Sequence, residues 1–304
     1  MSKKSTEPPS PAFRSGFVSI IGKPNVGKST LMNALIGERL SIITAKAQTT
    51  RHRIFGILTG KDFQIVYSDT PGVMKPQYEL QEAMMRFVYQ SLEDADVILF
   101  VVELGDKMDG DNVEILELLR KSGVPALFVI NKIDKSKGSQ LEDKVTYFKE
   151  FSGDIPILCI SALDKTNLEP LFDQILEKLP VHPPYFPDDE MTDRTERFFA
   201  SEIIREKIFL NYKKEVPYSC EVIIASFKEE EKIIRVMAEI FVERATQRAI
   251  IIGHGGLALK KVGIEARKDM EAFFGKQVHL ETYVRVEKDW RQNKLKLKRF
   301  GYVD

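Results

Sequence analysis

The sequence predicts a doubly wound, mainly parallel α/β sheet followed by a smaller α+β domain. Three observations carry that prediction. Short apolar runs alternate with helical patterns over residues 16–179, as expected for strands buried on both faces with helices between them. A stretch holding Pro180, Pro183, Pro184 and Pro187, then Asp188 and Asp189, interrupts the pattern. Beyond it the order of elements changes, and no internal repeat joins the halves.

In chain order, the apolar runs predict strands over 17–21, 63–69, 97–102, 126–130 and 155–160. The 3.6-residue periodicity predicts helices over 28–36, 79–92, 111–121, 140–151 and 168–178. Proline fixes the backbone and removes donors, so 180–189 reads as a stiff, exposed connector. The second domain is expected to hold a long amphipathic helix (195–212), a strand (218–227), a charged turn (228–232) and a strand (233–243). A Gly-rich loop, helical patterns through 274 and a strand over 277–287 complete it. The expected division is a disordered Pro/Ser-rich N-terminus (1–15), a first domain (16–180), a linker (181–191) and a second domain with a basic tail (192–304).

A chain of 304 residues with 43% hydrophobic residues suits two packed cores. No apolar run approaches the ~18 residues needed to cross a bilayer, and the longest, 97–104, is interrupted by Glu103. The N-terminus has no hydrophobic stretch of signal-peptide type, so the expected location is cytoplasmic. Cys159 and Cys220 each lie in an apolar run, too few for a metal cluster or a disulfide framework. Both read as buried thiols. The net charge is zero but divided: residues 1–190 hold 22 basic and 27 acidic residues, and 191–304 hold 23 and 18. The second domain therefore calls for an anionic partner.

Gly22-Lys23-Pro24-Asn25-Val26-Gly27-Lys28-Ser29 matches G-x-x-x-x-G-K-[ST] between a strand and a helix. Backbone N–H groups of Asn25 through Thr30 surround phosphates in such a P-loop, and the helix N-terminus adds its positive dipole end. Lys28 is expected at the β/γ-phosphates and the Ser29 hydroxyl on Mg²⁺. This loop alone does not separate ATP from GTP; three later elements do. Asp69-Thr70-Pro71-Gly72 ends a strand, placing a carboxylate behind Mg²⁺ and the Gly72 N–H towards the γ-phosphate. Asn131-Lys132-Ile133-Asp134 ends another: Asp134 accepts from both N–H groups of guanine, which adenine lacks, and Lys132 lies along the base. Ser161-Ala162-Leu163 ends the next and offers a backbone N–H to the guanine oxygen. An isolated N-K-x-D is weak; four motifs at strand ends, in order, are strong.

With these motifs the chain resembles the translation-factor-related GTPases. Lys46-Ala47-Gln48-Thr49-Thr50-Arg51-His52-Arg53 is similar to the switch region of the Era family within them. The resemblance implies that a threonine of this loop closes over Mg²⁺ and the γ-phosphate; Thr50 is favoured, with Thr49 as the alternative. Ras-like switches orient the attacking water with a glutamine after the D-x-x-G glycine, and here that residue is Val73. A GTPase of low intrinsic turnover is implied, its catalysis resting on Mg²⁺, Lys28 and loop N–H groups. Some related GTPases use an asparagine at the place of Asn25 to ligate K⁺; a role in shaping the loop turn is the equal alternative. His52 reads as a surface or RNA contact rather than a base.

Gly253-His254-Gly255-Gly256 is a G-x-x-G loop, followed by Lys260, Lys261 and a helical stretch holding Arg267. In KH domains such a loop lets four nucleotides of single strand lie against backbone N–H groups. Local propensity makes 249–252 a strand because of its isoleucines, whereas the KH resemblance makes it the end of a helix. The resemblance is followed, giving the α-β-β-α-α-β order of a type II KH domain. The tail carries Lys288, Arg291, Lys294, Lys296, Lys298 and Arg299 with Trp290, Phe300 and Tyr302. Its cations suit phosphates and its aromatics suit stacking, although for Trp290 packing on its own domain is the favoured reading. The Era resemblance covers about residues 16–302 and implies binding of the 3′ end of small-subunit (16S) ribosomal RNA, a role in 30S maturation, GTP/GDP and Mg²⁺ as ligands, and no DNA partner. Peripheral contact with anionic lipid on the inner face of the cell membrane is an alternative association.

Overall fold

The structure, a computed structural model, describes residues 12–303. Its first sheet has six strands: β1 (Arg14–Ile21), β2 (Ile54–Thr59), β3 (Phe63–Asp69), β4 (Val97–Glu103), β5 (Ala126–Asn131) and β6 (Ile157–Cys159), in the spatial order β2-β3-β1-β4-β5-β6. All neighbours are parallel except β2 and β3. β4 is buried on both faces for all but its last residue, so its continuous apolar run needs no alternation. The helices α1 (Lys28–Ile36), α2 (Glu79–Glu93), α3 (Gly110–Ser122), α4 (Gln140–Ser152) and α5 (Leu168–Lys178) connect the strands. One core lies beneath α1 and α5 and the other beneath α2, α3 and α4.

Several expectations need correction. β2 is absent from the sequence reading, because six half-apolar residues beside the switch loop carry no helix of their own. Of the expected disordered N-terminus, residues 1–11 lie outside the described residues, while Arg14 and Ser15 belong to β1 and pair with Phe63 and Gln64. The connector is largely exposed, as expected, and it is also fastened to the first sheet. Buried Gln64 accepts from the N–H groups of Tyr185 (2.7 Å) and Phe186 (2.9 Å) and donates to Phe186 O (2.8 Å). Further on, Ile57 N donates to Met191 O at 2.9 Å. The chain thus covers β2, an edge strand that would otherwise offer unpaired backbone groups. Cys220 is buried, as expected, but Cys159 is only half-buried at the end of β6.

The second domain runs α6 (Glu196–Asn211), β7 (Glu221–Glu229), β8 (Ile233–Val242), α7 (Ala245–Ile252), α8 (Leu257–Phe274) and β9 (Gln277–Val286). β7 is antiparallel to β8, and β8 parallel to β9. Residues 249–252 are helical, as the KH resemblance implied and β-propensity did not. The Thr195 side chain caps α6 by accepting from Phe198 N. α6 forms where the long amphipathic helix is expected, but Glu202, Arg205, Glu206 and Lys207 are buried along with its apolar residues. One side of α6 packs on the KH sheet and another on the first domain. The tail forms a 3₁₀ turn (Trp290–Gln292) and a short helix, α9 (Lys294–Arg299). Its aromatics are not stacking platforms, because Trp290, Phe300 and Tyr302 are buried against Leu80 and Met84 of α2. Trp290 Nε1 donates to Ser219 O at 2.9 Å. Among the described residues no helix is long and apolar enough to cross a membrane.

Candidate nucleotide and RNA sites

The P-loop links β1 to α1 around a cleft of about 590 Å³ lined by Pro24, Asn25, Lys28, Thr50, Gly72 and Lys132, among others. Gly27 caps α1 with φ 99°, and a Cβ there would lie 2.4 Å from Asn131 Nδ2. That amide donates to Val26 O at 2.9 Å, so the guanine-motif asparagine braces the phosphate loop. Gly72 is equally confined, since a Cβ would come 2.5 Å from Pro24 N. The Lys28 ammonium is buried and donates to Gly22 O (3.0 Å) and Lys23 O (2.8 Å). Burial lowers its pKa to about 8, and the Asp69 charge only partly opposes this. A cation so placed gains from an anion arriving in the cleft.

Ser29 Oγ donates to Asp69 Oδ2 at 2.7 Å and lies 2.9 Å from Thr50 Oγ1, which also reaches Asp69 Oδ2 at 3.3 Å. Asp69 is fully buried, and among the described residues its Oδ1 has no hydrogen-bond partner. Burial raises its carboxyl pKa, against hydrogen bonds from Ser29 and the charge of Lys28. Two hydroxyls converging on a buried, half-satisfied carboxylate form a hard oxygen set. Mg²⁺ takes such a set together with nucleotide phosphates. Among the described residues no three His, Cys, Asp or Glu gather into an all-protein metal cage. Thr49 turns away: its hydroxyl donates to Lys46 O (2.7 Å) and bonds Thr44 (2.6 Å).

At the base end, exposed Asp134 accepts from Ser161 Oγ at 2.7 Å. Lys132 donates to Asn25 O at 2.5 Å and pairs with Glu103. Of the Ser161–Leu163 amides, Ser161 N bonds Thr166 O and Ala162 N bonds Asn131 Oδ1. Leu163 lies on the rim of the cleft and is 72% exposed. Asn25 has φ 66° and its Nδ2 donates to Ala45 O at 3.1 Å, tying the P-loop to the switch loop. Val73 is buried in the core with Ile21 and Met85, and its N–H is spent on Gly22 O at 3.0 Å.

His52 is half-buried and lines a cleft with Arg194, Arg197 and Phe198. Its ring stacks on Tyr302 with centroids 4.4 Å apart. Burial, then the charges of Arg194, Arg205 and Arg51, push its pKa well below the usual range, leaving a neutral imidazole.

In the second domain, Gly253, His254, Gly255 and Gly256 form a bend between α7 and α8, with Gly256 capping α8 at φ 77°. At 100° per residue, Gly256, Lys260, Gly263 and Arg267 share a face of α8 beside Leu259, and Lys260 and Arg267 are exposed. Lys261 lies on another face, 3.8 Å from Glu265, which in turn bonds Asn211 of α6. A groove beside this loop is lined by Arg248, Ile252, Leu259, Tyr283, Val284 and Arg285. Sequence reasoning missed all of these. The available signal was Tyr283 and Arg285 placed two apart on the edge strand β9.

A family model of 50S ribosome-binding GTPases matches residues 17–132, and a KH domain model matches residues 215–291. The GTPase Era of Syntrophus aciditrophicus (strain SB) is 44% identical over 304 residues, covering 99% of each chain. That of Staphylococcus haemolyticus (strain JCSC1435) is 41% identical over 292 residues, covering 96% of this chain and 98% of its own. The chain belongs to the Era family of GTPases. A crystal structure of Era in complex with MgGDPNP and nucleotides 1506–1542 of 16S ribosomal RNA matches with a TM-score of 0.92 and 38% identity, over 96% of this chain and 100% of that one. A variant of Aquifex aeolicus Era bound to GDP·AlF4⁻ matches with a TM-score of 0.93 at the same identity and coverage. The family's two-domain plan accounts for the position of the KH loop at the end of a GTPase chain.

The tail's cations are largely engaged within the protein. Arg291 pairs with Glu243, Lys294 with Glu79 (3.6 Å), and Lys296 (2.5 Å) and Arg299 (3.9 Å) with Glu287. The tail therefore offers RNA or lipid less free charge than its composition implies.

Proposed function

We propose that this protein is a GTP-hydrolysing switch that binds the 3′ region of 16S ribosomal RNA through its KH domain and assists maturation of the 30S subunit. The observation that carries this reading is the full-length match to an Era captured with a magnesium-bound GTP analogue and that RNA segment. The GTPase unit extends to about residue 180 and the KH unit begins near 192, with the fastened connector between them.

In this reading Lys28 and the N–H groups of residues 25–30 neutralise charge on the transferring phosphoryl group, the dominant contribution in such reactions. The Ser29 and Thr50 hydroxyls hold Mg²⁺ with Asp69 behind them, and that ion supplies positive charge between the β- and γ-phosphates. Water attacks the γ-phosphorus as the bond to the β–γ bridging oxygen breaks, giving GDP and phosphate. Val73 supplies neither a water-orienting group nor a base, which supports slow intrinsic turnover. Asn25 is the candidate K⁺ ligand; its amide oxygen is left by the Nδ2 bond to Ala45.

Two measurements test the reading. Phosphate release is followed with and without an RNA of the 16S 3′ end, alongside the affinity of that RNA. Binding with a steep salt dependence and faster hydrolysis is expected; an RNA affinity no better than that of an unrelated strand overturns the assignment. Equal hydrolysis rates in K⁺ and Na⁺ buffers overturn the role given to Asn25.

A further inference from the structure

Consecutive residues of the switch loop divide their attachments between the two domains. Thr50 faces Ser29 and Asp69 across the nucleotide cleft. Its neighbours are held from the other side. The Thr49 carbonyl accepts from Arg205 Nη2 of α6 at 2.5 Å. Arg51 is fully buried, and its Nη1 donates to Cys220 O (2.7 Å) and Glu221 Oε2 (3.0 Å) while Nη2 donates to Tyr218 O (3.0 Å). The Tyr302 hydroxyl donates to the same Glu221 oxygen at 2.5 Å, and the Tyr302 ring covers His52. Glu221, the first residue of β7, and Tyr302, in the tail, belong to the KH side, and neither lines the nucleotide cleft.

A guanidinium taken wholly out of water needs a carboxylate and further acceptors around it, and removing that partner leaves an uncompensated charge. The planar fork of arginine also fixes direction, which an ammonium does not. Burial works against the charge on Arg51, but the Tyr302 and Glu221 oxygens outweigh it and hold its pKa above the ordinary value. With residues 49 and 51 both pinned, the backbone of the threonine between them is already ordered. Ordering one residue otherwise costs about 1–2 kcal/mol.

We propose that Arg51 and Glu221 are positioning residues for Thr50: the KH side pre-orders the threonine that closes on the metal and γ-phosphate, and so contributes to holding GTP but not GDP. This rests on the reading of Thr50 given above. The test measures dissociation of a fluorescent non-hydrolysable GTP analogue and of fluorescent GDP from the full chain, each across a Mg²⁺ titration. Glu221→Gln and Arg51→Lys are expected to release the triphosphate about tenfold faster and to raise the Mg²⁺ concentration at half-effect, with GDP release unchanged. Tyr302→Phe, which removes one hydroxyl, gives a smaller change of the same kind and serves if the stronger variants fail to fold. Equal acceleration for both nucleotides, or none for either, overturns the proposal. Thr50→Ala separates the two readings. If it fails to release the triphosphate selectively, the metal role of Thr50 falls. If it does so while the Glu221 and Arg51 variants do not, the positioning role falls alone.

Discussion

The phosphate loop and the KH loop begin their helices with the same device. Gly27 opens α1 and Gly256 opens α8, both in the left-handed region and both without a side-chain cap. In α1 the first-turn N–H groups are thereby left for an anion, whereas the Leu257 N–H that begins α8 is given to His254 O. The walls differ. A Cβ on Gly27 would meet Asn131 at 2.4 Å, whereas on Gly255 or Gly256 it would meet nothing within 4 Å. Lys28 is buried among backbone carbonyls, while Lys260 stands in solvent. In the proposed reading one backbone geometry serves two ligands, and enclosure selects between them. The closed loop suits a compact cluster of phosphates, and the open loop suits a strand that continues in both directions.

The comparison can be broken most decisively at Lys28. Lys28→Ala should lower nucleotide affinity at least about a hundredfold and abolish hydrolysis, while leaving RNA affinity intact; isothermal titration with GDP and with RNA measures both. The reciprocal change, Gly255→Asp with Gly256→Asp, places carboxylates where phosphates are expected. A loss of about tenfold or more in RNA affinity should follow, with GTP affinity unaltered. RNA affinity that survives removes the KH loop from the site.

Enclosure itself is tested by a methyl group. Gly27→Ala should cost about 2–3 kcal/mol in denaturant unfolding, through strain and the Asn131 clash. Gly256→Ala meets only backbone strain, about 1 kcal/mol. Equal losses would show that the walls do not matter. The smallest effect is in pH. Free Lys28 loses its proton near pH 8 in the fold but only near ~10.4 when unfolded. Between those values the unfolded state binds more protons, so the stability of the nucleotide-free protein rises with pH. Nucleotide phosphates need the charged form, so GDP affinity should fall as pH rises above about 8, with proton uptake on binding. Calorimetry in buffers of different ionisation enthalpy reads that uptake.

What the sequence disclosed was whatever lies in contiguous runs. The P-loop, Asp69–Gly72, Asn131–Asp134 and Ser161–Leu163 are each a few adjacent residues at a strand end, and periodicity located the strands carrying them. Thr50 was favoured with Thr49 kept as the alternative, because adjacent residues of one type differ only in direction. The structure turns Thr49 into its own loop and Thr50 towards Ser29. β2 was missed because an edge strand next to an irregular loop has little pattern to show. α6 was legible as a helix, but its buried charges were not, because a helix shared by two domains buries residues that an amphipathic pattern assigns to solvent. The seat of Arg51 was illegible for a simpler reason: its parts are scattered along the chain.

That scattering has a consequence in time. Arg51 and Glu221 are 170 residues apart, so a ribosome making roughly 5–20 residues per second reaches the second roughly 10–30 s after the first. The P-loop is made before that interval opens, and Asp69 and the guanine motif are made within it. A nascent chain therefore acquires the means to capture a nucleotide before it acquires the seat for Arg51. Each molecule passes through a stage in which capture precedes control, and the handover is complete only when the residue that covers His52 has been added.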